Sequence, residues 1–178
     1  MRFAAAAFLL VAAQLAAAQA PEAEDLGVPP TGELRLGDHS APTPLEIPGA
    51  RLVLTPELRR LLQSPLDTRP LLFDVLGADN QHLSLPGAIW LPGAGRGVSF
   101  DDEVQERLAK LLEFATQGNR QRTVVFFCAS SRCWLSYNTA LRAVRLGYQD
   151  VRWYRGGIEA WGTSGGALTE PKIVWQYR

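Results

Sequence analysis

The chain predicts an α/β fold: a central, mostly parallel sheet with helices on both faces. Three observations point there. From residue 51 onward, strand-like and helix-like segments alternate, the order that builds a parallel sheet. Leu71-Leu-Phe-Asp-Val75 is nearly continuous in apolar residues, as expected of a parallel strand buried on both faces. Residues 101–116 carry a helical period, with Val104, Leu108, Leu111, Leu112 and Ala115 on one face.

The first segment reads as targeting rather than fold. Arg2 is a short positive start, Phe3 to Leu15 is an apolar stretch, and two small-residue cleavage patterns follow, Ala16-Ala17-Ala18 and Ala18-Gln19-Ala20. Cleavage after Ala18 is favoured, because a cut after Ala20 would place Pro21 beside the scissile bond. The apolar stretch is shorter than the roughly 20 residues that span a bilayer, and Gln14 interrupts it. Residues 1–18 are therefore expected to be a signal peptide. No membrane span is expected after its removal, and no lipid-anchoring cysteine follows it. Export into an oxidising compartment is expected.

Residues 19–50 read as an irregular arm punctuated by Pro21, Pro29, Pro30, Pro42, Pro44 and Pro48, each of which removes a backbone donor and fixes φ. Either this arm is a free linker, or Leu34, Leu36, Leu45 and Ile47 pack it onto the domain. Residues 51–170 form the domain itself. Arg51 to Leu54 is a short strand, and Thr55-Pro56-Glu57 opens a helix with an N-cap and a proline at its first position. Leu71 to Val75 and Ala88 to Leu91 are strands. Asp101 or Asp102 caps the amphipathic helix. Thr123 to Phe127 is the strongest strand, Trp134 to Leu146 is a helix closed by Gly147, and Val151 to Tyr154 is the last strand. A short helix then runs to Trp161, and residues 171–178 are a C-terminal tail.

Composition narrows the function. With 47% hydrophobic residues in 178, one domain of about 120–150 residues can bury a core. The 18 basic and 18 acidic residues cancel without long charge runs, so no nucleic-acid partner or membrane-surface patch is expected. His39 and His82 do not spell a metal site. Gly93-Ala-Gly95-Arg-Gly97 lacks the lysine and strand context of a phosphate loop, and no cofactor is expected.

The chemistry concentrates at Cys128, where the strongest strand ends in a polar loop before the next helix. Catalytic groups in open α/β sheets sit beyond the carboxyl ends of strands. A thiol there faces the free N–H groups of a helix start, which favour the thiolate. Arg132 adds positive charge, and Ser130 and Ser131 add hydroxyl donors. Asp74, at another strand end, either holds a loop by accepting N–H bonds or simply caps its strand. Cys133 lies five residues beyond Cys128, and in an oxidising compartment the two can pair.

These residues carry a resemblance. Phe127-Cys128 with its loop, Ser136-Tyr-Asn-Thr-Ala140, Gly147-Tyr148, Val151 and Gly156-Gly-Ile-Glu-Ala-Trp161 are similar to the C-terminal half of a rhodanese-like domain. Leu71 to Val75 resembles that family's strand ending in Asp-Val, and Leu85-Pro-Gly-Ala-Ile89 its Pro-Gly-Ala turn. Cys133-Trp134, Trp90-Leu-Pro92, Trp153-Tyr154 and Ala41-Pro-Thr-Pro44 further resemble a periplasmic subgroup with a Cys-x-x-Cys-Trp (CXXCW) motif, associated with pyrroloquinoline quinone (PQQ)-dependent alcohol catabolism. Here four residues, not two, separate the cysteines. Leu76 stands where rhodaneses commonly have arginine, Ser84 where they have histidine, and no arginine closes the loop at the usual place.

The resemblance implies a sulfurtransferase in which Cys128 carries a persulfide cradled by the N–H groups of residues 129–134. Cys128, Cys133 and Arg132 are then the catalytic candidates, and Ser130, Ser131, Trp134 and Asp74 the substrate-binding ones. The implied partners are a small sulfur donor or thiol acceptor, with a periplasmic quinoprotein dehydrogenase or cytochrome as protein partner. The competing readings are thiol–disulfide exchange, with Cys128 attacking and Cys133 resolving, and a non-catalytic binding module. The latter would use Trp90, Trp134, Trp153, Trp161 and Trp175, residues that in so small a domain are more often core. A Cys-x5-Arg phosphatase loop is excluded, because Trp134 occupies the arginine position.

Overall fold

The computed structural model describes residues 21–77 and 82–173. The signal peptide expected over residues 1–18 and Trp175 lie outside them. In chain order the elements are β1 (Arg51–Val53), α1 (Thr55–Leu62), β2 (Leu71–Asp74), β3 (Ile89–Trp90) and α2 (Glu103–Thr116). Then come β4 (Val124–Phe127), α3 (Trp134–Arg145), β5 (Val151–Tyr154), α4 (Gly157–Thr163) and β6 (Lys172–Ile173). The strands form one six-stranded sheet in the order β1-β5-β4-β2-β3-β6, with every pairing parallel.

The period of two along the strands distributes the core to two faces. Phe73, Val124, Phe126 and Trp153 pack with Leu108 and Leu112 of α2 and Tyr137, Ala140 and Leu141 of α3. Leu72, Val125, Phe127 and Tyr154 pack on the opposite face with Leu58 of α1 and Trp161 of α4. All four residues of β4 are buried, which is why that segment reads as uninterrupted apolar sequence. Helices on both faces of a parallel sheet are the architecture the alternation predicts.

Element boundaries shift where long-range contacts intervene. Asp102 is the N-cap of α2, accepting from the Gln105 N–H at 2.9 Å, so of the two candidate aspartates the second does the capping. Thr55 is not a cap. It is the first residue of α1, and the carboxylate of Glu22 accepts both its N–H (2.8 Å) and its hydroxyl (2.9 Å). The arm thus supplies the negative group that a helix start favours. The C-terminal tail also begins inside the fold, because Lys172 and Ile173 pair with Ile89 and Trp90 and cover the edge of β3.

The arm is packed, not a linker. Ile47, Ala41 and Thr43 are buried, whereas Leu36 is 60% exposed, so not all four candidate side chains dock. Much of the attachment is polar. Tyr137 accepts the Thr31 N–H and donates to its carbonyl, and the Asn138 amide pairs with both backbone groups of Arg35. Arg155, buried after β5, donates to the carbonyls of Glu22, Glu24 and Thr43 and to the Thr43 hydroxyl.

Candidate active site

β2 and β4 are neighbours, yet β3 follows β2 on one side while β5 follows β4 on the other. The connections diverge at this point, and a crevice opens beyond the carboxyl ends of the two strands. Asp74 is in register with Phe127, so Asp74 and Cys128 flank the crevice.

Cys128 leaves β4 into a tight loop that ends at Cys133, the N-cap residue of α3. The two sulfurs form a disulfide, with Cα atoms 6.1 Å apart. Cys128 is 1% exposed and Cys133 7%. The backbone of the loop is held from beneath by α4. The Ile158 N–H donates to the Cys128 carbonyl (3.0 Å) and the Glu159 N–H to that of Ala129 (2.9 Å). Gly157 makes this approach possible, since a Cβ there would sit 2.3 Å from the Cys128 oxygen, and its φ of +61° is a region L side chains rarely adopt.

The expected cradle of amides is partly occupied from within. The Cys133 N–H donates to the Ser130 carbonyl (3.1 Å), the Arg132 N–H to the Ser130 hydroxyl (3.3 Å), and the Trp134 N–H to the carbonyl of His39 (2.9 Å). From the arm, Thr43 donates both its N–H and its hydroxyl to the Ser131 carbonyl. The arm thus lies over the loop and takes up the first amide of α3, a contact between segments about 95 residues apart that no local motif announces.

Of the candidate residues, Ser130, Ser131 and Arg132 are brought together. With Glu22, Glu159 and Ala160 among its other walls, they line a cleft of about 420 Å³ between the arm, the loop and α4. Arg132 is exposed there. Trp134 is placed elsewhere, 3% exposed under the arm, with its indole N–H on the Pro42 carbonyl and the Arg35 guanidinium 5.0 Å above its ring. Asp74 is fully buried and accepts from the Leu76 N–H, the His82 ring and the Ser84 hydroxyl. These donors belong to the β2–β3 connection, so Asp74 holds that segment beside the crevice. Trp90, Trp153 and Trp161 are buried like Trp134, which makes the four described tryptophans core residues rather than an aromatic binding face.

Sequence reasoning did not single out Glu22 or Arg155, and it named His39 and Thr43 without their contacts to the cysteine loop and the start of α3, because the partners of all four are remote in the chain. Gly157 was visible as part of a Gly-Gly pair, but its role depends on the Cys128 carbonyl. Among the described residues no cluster of His, Cys, Asp and Glu is arranged to hold a metal ion, and no helix is long and apolar enough to cross a membrane.

A parallel sheet flanked by helices on both faces, with a cysteine closing its central strand and a helix starting at the end of the cysteine loop, defines the class of α/β domain to which this fold belongs. The profile of the family described as "Rhodanese-like domain" matches residues 47–164, and the chain belongs to that family. Solved structures agree on the fold. A thiosulfate sulfurtransferase from Pseudomonas aeruginosa superposes with a TM-score of 0.52 at 20% identity, over 72% of this chain and 22% of that one. A variant of EanB bearing a cysteine persulfide, in a tetrahedral intermediate state with ergothioneine, gives 0.50 at 16% identity, over 68% and 32%. A full-length protein from Lactobacillus plantarum gives 0.50 at 15% identity, over 67% and 87%. The chain therefore spans less than a third of the first two neighbours. No curated protein matches it.

Proposed function

We propose that this protein is a periplasmic sulfurtransferase of rhodanese type, in which the reduced Cys128 carries sulfane sulfur as a persulfide. The observation that carries this reading is the position of Cys128. It closes the central strand at the divergence of the sheet, its backbone is pinned by α4, and its loop leads into the start of α3. A thiolate there attacks the outer sulfur of a sulfane donor, and the donor's remaining group leaves with the bonding pair. Arg132, Ser130 and Ser131, on the same loop, line a cleft that they share with Glu22, Glu24 and Glu159, so Arg132 supplies its positive charge among three acidic residues. Two neighbours of the same fold, a thiosulfate sulfurtransferase and a persulfide-bearing EanB, are in keeping with sulfur chemistry at such a cysteine.

Export rests on the amino-terminal pattern of residues 1–18, and cell fractionation with sequencing of the mature amino terminus tests it. The expected mature start is Gln19; a full-length amino terminus retained in the cytoplasm would count against it. The resemblance to the CXXCW subgroup further suggests service to quinoprotein alcohol oxidation, with a quinoprotein dehydrogenase or cytochrome as partner.

A second reading is favoured by the Cys128–Cys133 disulfide itself: thiol–disulfide exchange, or a partner-binding module pinned by that bond. One experiment separates the two. Free thiols are counted on the purified mature protein, and transfer of sulfur from thiosulfate to cyanide is assayed with and without reductant. Transfer that appears on reduction, disappears in Cys128→Ser and survives in Cys133→Ser supports the sulfurtransferase. A fully reduced protein that transfers no sulfur sinks it and leaves the redox or binding role.

A further inference from the structure

We propose that Cys133 resolves the Cys128 persulfide within the same loop, releasing sulfide and closing the Cys128–Cys133 disulfide, so that each turnover ends in the oxidised loop. This rests on the persulfide reading above and adds a product and a class of reductant to it.

Three observations converge. Cys133 is within bonding reach of Cys128, since the two sulfurs form a disulfide with the fold intact. A nucleophile held on the same short loop competes favourably with one arriving from solution, because orientation and translational entropy are already settled. Secondly, half of the amides that would stabilise a long-lived persulfide anion are committed elsewhere: the Arg132 and Cys133 N–H groups to Ser130, and the Trp134 N–H to His39. A persulfide on Cys128 is thus held less firmly than one in a fully open cradle. Thirdly, Cys133 is the N-cap residue of the twelve-residue helix α3, where the dipole favours its thiolate, and it is the more exposed of the two cysteines.

The step balances without a metal or cofactor. In the first half, the Cys128 thiolate takes the outer sulfur of thiosulfate and sulfite leaves. In the second, the Cys133 thiolate attacks the Cys128 sulfur. The Cys128–Cys133 bond forms, the bond to the outer sulfur breaks, and that sulfur departs with the electron pair as hydrosulfide, its proton coming from the persulfide or water. The two cysteines together lose two electrons, and the sulfane sulfur gains them. An external dithiol, oxidised in turn to its disulfide, restores the starting state by thiol–disulfide exchange.

The test uses the reduced mature protein, freed of reductant and mixed with one equivalent of thiosulfate, with glutathione persulfide as a second donor. Sulfide, free thiols and intact mass are followed. The wild type is expected to release one equivalent of sulfide, lose both thiols and retain no added sulfur. Cys133→Ser, which places a favoured residue type at the N-cap, is expected to gain one sulfur atom in mass and to lose sulfide release. Cys133→Ala with a near-ultraviolet circular dichroism spectrum guards against a folding artefact. A wild type that holds a stable persulfide and releases no sulfide overturns the inference while leaving the persulfide reading standing. If neither wild type nor Cys133→Ser gains sulfur or releases sulfide with either donor, the persulfide reading fails and the resolving step falls with it.

Discussion

A methyl group at position 157 would sit 2.3 Å from the Cys128 carbonyl oxygen and 2.7 Å from the Ala129 backbone. Backbone cannot move aside as a side chain can, and alanine also resists the φ of +61°. Gly157→Ala is expected to cost about 2 kcal/mol or more. It should also displace the loop, lowering sulfur transfer in parallel; a variant with wild-type urea midpoint and rate would show that the contact is dispensable. Glu22 makes a comparable point through hydrogen bonds. Its buried carboxylate caps Thr55, whose hydroxyl also meets the Tyr154 hydroxyl at 2.6 Å. Burial pushes the Tyr154 phenol well up, against the opposing effect of the Thr55 bond, so it stays protonated and donates. Glu22→Ala removes an N-terminal cap and is expected to lower stability by about 1–2 kcal/mol, read from chemical denaturation.

At the scale of elements, the arm is the part whose attachment can be dissected. Arg155, 1% exposed, gathers the carbonyls of Glu22, Glu24 and Thr43 around one guanidinium. Burial lowers its affinity for the proton, and the nearby Asp25 and Glu24 charges oppose that effect. Arg155→Met leaves those carbonyls without their donor. Proteolysis within residues 21–50 should then accelerate while the sheet stays protected. Because Thr43 holds the cysteine loop at Ser131 and His39 holds the first amide of α3, next to Cys133, alkylation of reduced Cys133 should accelerate as well. Faster proteolysis with unchanged alkylation would mean that the arm does not cover the thiol.

The whole molecule is expected to lose stability in acid over a defined window. Burial alone would raise the Asp102 carboxyl. The Arg142 guanidinium, reinforced by the N–H groups of Gln105, Ser99 and Val98, instead holds it at about 2, below its ordinary 3.8. Asp150 is likewise about 2, with burial opposed by Arg152, Thr123 and Arg51. Both groups bind protons more weakly folded than unfolded, so their stabilisation is complete above the unfolded value. It is lost as pH falls from 3.8 toward 2. Because both carboxylates are partly solvated, screening reduces what each contributes at neutral pH to about 1 kcal/mol. Urea midpoints measured across this range should fall steeply in the wild type and more gently in Asp102→Asn; equal slopes would show that the Arg142 pairing contributes nothing in acid.

Local residue patterns suffice for the alternation of strands and helices, the parallel sheet and the cysteine at a strand end. These are local matters: period, capping residues, and a short run of β-branched and aromatic residues such as Val124–Phe127, which suits a strand buried on both faces. What surrounds that cysteine depends on long-range packing. Whether Thr55 or Glu22 serves the start of α1, whether the arm packs, whether Trp134 faces substrate or Pro42, and which donors Asp74 holds all depend on partners far along the chain. Such pairings follow from which polar groups the closing sheet buries and must satisfy, and no local pattern encodes them. At Cys128 the two levels meet, since its place on the sheet is written in the sequence and the donors left to serve it are set by the fold.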